Sequence, residues 1–223
     1  MYQLSDFKIP CSFENRRPLL QDGFLFIPSF YEEIGAHGPV LDFIEIFQNT
    51  NPVLIEYCSG NGQWISAKAK KNPNLNWIAV EKDFERARKI WLKAKKQNLK
   101  NLFLVFGEAL TFTLHYLKDQ SLEGFFVNFP DPWPKRRHFK KRLVNADFME
   151  AVKKKIKPLG KATLVTDHEE MAFFMIESAL KSSWKPLFKK PYFSEELEGY
   201  GSSYFEKLFR GKGKQIRYMQ FES

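Results

Sequence analysis

Residues 128–142, which read N-F-P-D-P-W-P-K-R-R-H-F-K-K-R, combine a carboxylate, an indole and a run of cations. Asp131 and Trp133 lie between three prolines, and proline fixes its own φ and favours extended backbone in the residue before it. Six of the eight residues 135–142 are Lys or Arg. A rigidly held acid followed by a basic stripe indicates the rim of an active site that binds phosphates. The alternative is a proline-rich surface turn beside a solvated charged helix, which the basic run alone favours. The acid and the indole directly before the run favour the active site.

Composition bounds the class of partner. The chain has 223 residues, with 35 Lys+Arg against 26 Asp+Glu and a net charge of +9. This length fits one α/β domain, and the charge indicates an acidic partner, with nucleic acid favoured over a membrane surface. No apolar run approaches the roughly 18 residues of a membrane span, and the start M-Y-Q-L-S-D-F-K has no secretory signal. Cys11 and Cys58 have neither a disulfide nor a metal spacing, so we expect a reduced cytoplasmic location and no metal.

Short apolar runs alternate with helical spacings along most of the chain. The runs predict strands at 53–55, 77–80, 102–106, 125–127 and 162–165, and the spacings predict helices at 39–47, 63–70 and 83–97. This alternation is typical of an α/β fold with a mostly parallel, doubly wound sheet. Residues 216–221 alternate apolar and polar, which predicts a C-terminal antiparallel strand. We expect residues 1–38 to be an irregular arm packed on or flanking a domain of residues 39–223.

Four of these runs end in an acid or in a turn that carries one, namely Glu56, Glu81, Glu108 and Asp131. Ligands of open parallel sheets bind beyond the carboxyl ends of the strands, so we expect the acids to gather at one edge. Gly60 and Gly62 follow the first run and would let a ligand approach the backbone. Glu81 is placed to bind a ribose diol, and Glu108 to lie near an adenine ring. The alternatives are an ordinary turn and solvated strand-end acids.

The glycine loop argues against a dinucleotide. Ile65 stands where the third glycine of G-x-G-x-x-G would be, and no nucleotide P-loop motif is present. An acid, Glu56, precedes the loop, and four acids around one cleft would repel a pyrophosphate. They suit a cationic ligand with a ribose and an adenine, and S-adenosylmethionine has both of these together with an ammonium and a sulfonium. The sequence therefore predicts S-adenosylmethionine as cofactor.

From about Val53 to Phe221 the chain resembles the bacterial tRNA (guanine-N7-)-methyltransferases of the TrmB type, on the signature F-P-D-P-W-P-K-R-R-H and the basic stretch after it. The resemblance implies the class I (Rossmann-like) methyltransferase fold and methyl transfer to N7 of a guanine in the tRNA variable loop. It implies Asp131 as the catalytic acid and Glu56, Glu81, Glu108 and Asp131 as cofactor-binding acids. The substrate-binding residues that it implies are Lys135, Asp167, Ser203, Tyr204, Phe205 and Glu206. Its RNA-contacting stripe corresponds to Arg137, His138, Phe139, Lys140, Lys141 and Arg142.

Three positions depart from the family pattern. Cys58 stands at the first glycine of E-x-G-x-G-x-G, where a residue with positive φ would be strained. Glu108 replaces the usual Asp, and Ser203 replaces the usual Thr, each with its functional group kept.

Guanine N7 carries no proton, so the predicted reaction needs positioning and no obligatory general base. We assign to Asp131 the stabilisation of the positive charge that develops on the base, with Asp167 and Glu206 as candidates to share it. Trp133 either stacks on the base or braces the turn, and His138 is expected on phosphate or in solvent. Three alternatives stay open: an amino-methyltransferase of adenine or cytosine, a tRNA-binding protein without activity, and, less favoured, a dinucleotide oxidoreductase. No obligatory protein partner is inferred.

Overall fold

A computed structural model describes residues 2–9, 12, 14–21, 23–29 and 38–223. Cys11 therefore lies outside the described residues. The chain divides into two compact units, Met1–Lys118 and Asp119–Ser223. Our expected boundary after residue 38 stays a prediction.

The described residues of the first unit form five strands in the order β1-β2-β5-β4-β3. Strands β2 to β5 are parallel, and β1 pairs antiparallel with β2. The strands are β1 Leu19–Gln21, β2 Phe24–Phe26, β3 Val53–Tyr57, β4 Asn76–Glu81 and β5 Leu102–Phe106. The helices are α1 Phe43–Phe47, α2 Gln63–Lys71, α3 Phe84–Lys96 and α4 Ala109–Tyr116, with a 3₁₀ helix at Leu4–Asp6. The strands predicted at 53–55, 77–80 and 102–106 are confirmed.

Strand β4 lies between β3 and β5, and all six of its residues are buried. Burial on both faces explains why its sequence is a continuous apolar run without alternation. Helix α3 packs its apolar stripe inward, with Ala87 and Ile90 fully buried. Asp83 caps the start of this helix, and its carboxylate accepts a hydrogen bond from the Arg86 N–H at 2.9 Å. The core therefore holds the carboxyl end of β4 and the start of α3 in a fixed relation.

The N-terminal stretch is more regular than expected. Its β1–β2 hairpin turns at Gly23, with φ of +83°, and β2 pairs in parallel with β5 from Phe24↔Leu104 to Phe26↔Phe106. Our expectation of an irregular arm was wrong for these residues. Strands of three residues give no readable period, and β2 pairs with β5, about 80 residues away along the chain, a separation that no local pattern encodes.

The second unit contains four strands in the order β6-β7-β9-β8. Strands β6 and β7 are parallel, and β9 pairs antiparallel with β7 from Lys161↔Glu222 to Thr166↔Arg217, which confirms the predicted C-terminal antiparallel strand. The strands are β6 Leu122–Asn128, β7 Ile156–Thr166, β8 Lys185–Pro186 and β9 Arg217–Glu222. The helices are α5 Ala146–Lys155, α6 Glu169–Lys181 and α7 Tyr204–Gly211, with a 3₁₀ helix at Arg136–Lys141.

Aromatic side chains fill the core of this second unit. The Phe125 ring makes edge contacts with Phe148 and Trp184, at centroid distances of 6.2 and 5.7 Å. The Trp184 indole N–H donates to the Met149 carbonyl at 3.1 Å, so its polar atom is satisfied. Within the described ranges, no helix has the length and apolar character needed to cross a bilayer.

Candidate functional site

The loop after β3 is held by its own hydrogen bonds. The Ser59 hydroxyl donates to the Glu56 carbonyl at 2.8 Å, and the Ser59 N–H donates to the Val80 carbonyl at 3.1 Å. Cys58, Gly60 and Gly62 all have positive φ, of +58°, +55° and +71°. Cys58 thus has the left-handed backbone at which a residue with a Cβ is strained, at a cost of about 1–2 kcal/mol.

Glu81, at the end of β4, fastens this loop. One carboxylate oxygen accepts the Gly60 N–H at 2.7 Å, and the other accepts the N–H groups of Lys82 and Asp83, both at 2.9 Å. The side chain is buried, and burial raises its pKa against the opposing effect of these backbone hydrogen bonds. A carboxylate has about four acceptor positions, so three donors leave room for one more, such as a ligand hydroxyl.

Glu56 and Glu108 both belong to the first unit but differ in solvent exposure. Glu56 is buried, 2% exposed, within β3, one residue before that strand ends. Glu108 is exposed and caps α4, where its carboxylate accepts the Thr111 N–H at 2.6 Å. Because β3, β4 and β5 are parallel neighbours, the three acids of this unit follow the same edge of its sheet. The buried carboxylates of Glu56 and Glu81 lie beside a glycine loop whose backbone a ligand can approach. Together they form a set of hydrogen-bond acceptors that fits a cationic cofactor with hydroxyl groups.

The structure gives Gly62 a packing role that the sequence did not indicate. It caps the start of α2, and a Cβ built on it would lie 2.7 Å from the Cγ1 of Ile90 in α3. Gly107, after β5, was not predicted and is similar, since a Cβ there would lie 2.7 Å from the Cβ of Ile27. Its position directly after a predicted strand was the available signal.

In the second unit, the turn around Asp131 has an unusual backbone. Phe129 and Trp133 have φ of +51° and +41°. The expectation that a residue before proline is extended was therefore wrong for both Phe129 and Trp133. The Phe129 N–H donates to the Val165 carbonyl at 2.8 Å, and the Phe129 ring packs against Phe205 and Phe209 of α7. These tertiary contacts stabilise a conformation that local sterics disfavour.

Trp133 contacts the basic stripe that follows the turn. Its ring meets His138 edge to face at 5.6 Å, and the Lys141 ammonium lies 4.9 Å from its centroid. Asp131 itself is exposed, and within residues 38–223 it makes no hydrogen bond or ion pair.

The basic stripe begins at Lys135 and runs through the 3₁₀ helix Arg136–Lys141, where Arg137, Lys140 and Lys141 are exposed. His138 and Phe139 are half-buried. Our prediction that Arg142 contacts RNA was wrong, because its side chain is 1% exposed. The guanidinium instead donates to the Pro132 carbonyl and to Glu170.

The remaining predicted substrate residues are engaged within the second unit. Asp167 pairs with Lys214. Ser203 and Glu206 form a capping box at the start of α7, a pattern readable from S-x-x-E. The Glu206 carboxylate also accepts hydrogen bonds from the Tyr218 hydroxyl at 2.7 Å and from the Arg210 guanidinium at 3.2 Å. Burial, and then this contact with Glu206, raises the pKa of Tyr218 to about 12.

Tyr204 and Phe205, between the two capping residues, are exposed at the start of α7. Their rings contact each other with centroids 5.4 Å apart. They are the aromatic groups of the predicted substrate segment that remain open to solvent.

Comparison with known proteins shows similarity in sequence and similarity in structure. A family model described as "Putative methyltransferase" matches residues 50–219. A tRNA (guanine-N(7)-)-methyltransferase of Chlamydia abortus is 42% identical over 216 residues, covering 97% of this chain and 96% of its own. One of Staphylococcus epidermidis is 31% identical over 207 residues, covering 92% and 94%.

Among solved structures, the 16S rRNA methyltransferase KamB matches with a TM-score of 0.58 at 15% identity, covering 81% of this chain and 91% of its own. A 16S rRNA (adenine(1408)-N(1))-methyltransferase from Catenulisporales acidiphilia, solved with its cosubstrate SAM, matches with a TM-score of 0.56 at 14% identity, covering 82% and 92%. At these identities the likeness confirms the class I methyltransferase fold and no more.

Proposed function

We propose, from the premise that this chain belongs to the tRNA (guanine-N7-)-methyltransferase family, that it methylates N7 of a guanine in the tRNA variable loop with S-adenosylmethionine as donor. The observation that supports this most directly is the state of Asp131. It is an exposed carboxylate without a partner among residues 38–223, on a braced turn that runs into the exposed cations of residues 135–141.

Methyl transfer to N7 makes modest chemical demands. The N7 lone pair is an acceptor on the major-groove edge of guanine and has no proton to remove. S-adenosylmethionine supplies an electrophilic methyl group on a sulfonium. The protein must therefore orient the base and stabilise the positive charge that the purine acquires.

We assign that stabilisation to Asp131. Its carboxylate can accept hydrogen bonds from guanine N1–H and the 2-amino group, and its negative charge favours the cationic product. The other two candidate acids are less available. Asp167 is paired with Lys214, and Glu206 is engaged by Tyr218, Arg210 and its own helix cap.

The first unit supplies the groups that we propose for the cofactor. Glu81 would bind the ribose hydroxyls with its remaining acceptor position, and Glu108 would lie by the adenine. Gly60 would give the ligand access to the backbone, while Glu56 would attract the cationic part of the donor. Gly62 would act indirectly, because its close packing against Ile90 fixes the position of the glycine loop.

The second unit supplies the groups that we propose for tRNA. Lys135, Arg137, Lys140 and Lys141 would contact phosphates, which bind without reading sequence. A base in folded tRNA must be made accessible, so we propose local extrusion of the guanine. Tyr204 and Phe205 are partly exposed aromatic side chains against which an extruded base would stack. We propose these tRNA-binding roles, and a cytoplasmic location, because tRNA is the proposed substrate.

The test is incubation of the protein with unmodified tRNA and methyl-labelled S-adenosylmethionine, followed by nucleoside mass analysis and mapping of the labelled fragment. We expect N7-methylguanosine from the variable loop. Methyladenosine or methylcytidine would support the amino-methyltransferase alternative. Binding of tRNA without calorimetric binding of S-adenosylmethionine would support a tRNA-binding protein without activity.

A further inference from the structure

Arg142, directly after the basic stripe, is enclosed by the second unit. Its Nε donates to the Pro132 carbonyl at 2.8 Å, and its Nη2 donates to the Glu170 carboxylate at 2.9 Å. Its guanidinium carbon lies 3.7 Å from the ring centroid of Phe139 and 4.8 Å from that of Phe174. The side chain is 1% exposed, so the last cation of the run makes its contacts inside the protein.

These contacts require an arginine. A guanidinium is planar, presents donors along two edges and stacks on aromatic faces, so it can bridge a carbonyl and a carboxylate while lying between two rings. A lysine ammonium is a point charge on a flexible stem and has no stacking face. The bridge joins the turn that contains Pro132 to the first turn of α6, where Glu170 lies.

The bridged turn is the one that carries Asp131, the residue directly before Pro132. Trp133, directly after Pro132, has a φ of +41°. A β-carbon disfavours this conformation, which therefore persists only where surrounding contacts enforce it. The Pro132 carbonyl is the acceptor that Arg142 holds. Loss of this hydrogen bond would let the turn relax and would displace the Asp131 carboxylate.

We propose that Arg142 is a positioning residue, which fixes the Asp131 turn in the conformation needed for methyl transfer. This rests on the proposed function of Asp131. A displacement of about 1 Å at a reacting group can lower the rate about 100-fold. The effect therefore falls on kcat, while the affinity for tRNA, which depends on exposed cations, is preserved.

The chain offers a matched control in Arg217. It is also a largely buried arginine, 9% exposed, that pairs with a carboxylate in the first turn of α6, Glu169 at 3.3 Å, and lies over a phenylalanine ring. It differs in that its guanidinium contacts Glu169 and the Phe193 ring and not the Asp131 turn. The Arg142→Lys and Arg217→Lys variants thus share the loss of a buried guanidinium, and only the first removes the bridge to Pro132.

We expect Arg142→Lys to lower kcat by about 10- to 100-fold, with KM for tRNA and the salt dependence of tRNA binding within about threefold of wild type. Arg217→Lys should keep kcat within about threefold. Concentrations of folded enzyme are set by calorimetric titration with S-adenosylmethionine. Glu170→Gln keeps an acceptor for Nη2 and should lose less activity than Arg142→Lys. An equal loss in both arginine variants, or a loss confined to KM for tRNA, would overturn the proposal.

A second readout does not depend on activity. In protein labelled with 5-fluorotryptophan, the Trp133 resonance is assigned by its absence in Trp133→Phe. Arg142→Lys should shift or broaden this resonance, and Arg217→Lys should leave it in place. An unchanged Trp133 resonance in Arg142→Lys would refute the positioning role whatever the assay shows. Absence of transfer by the wild type, with the resonance still shifted, would instead refute the proposed function.

Discussion

Gly62 allows α2 to begin close against α3, and Gly62→Ala tests that packing. The added Cβ would lie 2.7 Å from the Cγ1 of Ile90 and 3.2 Å from its Cα, and the backbone φ of +71° would be strained with any side chain. A left-handed non-glycine residue costs about 1–2 kcal/mol. Overpacking a core adds about 1–3 kcal/mol. Since the clash involves the Ile90 backbone as well as its side chain, we expect a loss of about 2–5 kcal/mol.

Gly23→Ala is the matched control within the same unit. Its φ is +83°, but the nearest atoms to an added Cβ are the Nζ and Cε of Lys95 at 3.6 and 3.7 Å, which is ordinary contact with a flexible chain end. Both variants share the cost of positive φ and the same change in unfolded-chain entropy. Their difference therefore isolates the overpacking against Ile90.

The assay is urea unfolding followed by tryptophan fluorescence, with calorimetry of S-adenosylmethionine binding alongside. Gly62→Ala should unfold at lower urea than Gly23→Ala, by about 1–3 kcal/mol in the free energy of unfolding, and should bind the cofactor more weakly because the glycine loop shifts. Equal unfolding free energies for the two variants would refute the reasoning.

Three further predictions concern the loop, the buried acid and the stripe. Cys58→Gly should stabilise the protein by about 0.5–1 kcal/mol, since relief of the left-handed cost exceeds the added entropy of the unfolded chain, as urea unfolding would measure. Because burial raises the pKa of Glu81, cofactor affinity should weaken as pH falls and begin to do so above the ordinary value of 4.5, and calorimetry of Glu81→Gln should lose this dependence. Lys140→Gln and Lys141→Gln should each lower the log–log salt slope of tRNA binding by roughly 0.7–0.9 if each contacts one phosphate. A slope as steep as that of the control Lys181→Gln would show these lysines to be solvated.

The sequence predicted the parts of the fold that have strong local patterns. Strands β3, β4 and β5 are largely buried, and each contains a continuous apolar run, at 53–55, 77–80 and 102–106, that could be read from the sequence. Strand β9 has an alternating pattern and was placed correctly as antiparallel. The hairpin of β1 and β2 was missed because strands of three residues have no detectable period.

Within the site, the types of the functional residues could be predicted from the sequence, but the contacts that their side chains make could not. Six cations of one run look alike in sequence, yet Arg142 turns inward while Lys140 and Lys141 stay exposed. The rings that enclose Arg142 come from positions 3 and 32 residues away, and only tertiary packing joins them. The pairing of Asp167 with Lys214 spans 47 residues and was likewise invisible.

The most direct test is a single-turnover assay of wild type and Asp131→Ala, with saturating tRNA and labelled S-adenosylmethionine and with N7-methylguanosine as the product measured. We expect Asp131→Ala to fold and to bind both substrates, and to transfer methyl groups at least about 100-fold more slowly, since it loses the charge that stabilises the cationic base. A rate within about threefold of wild type would contradict the central role of Asp131.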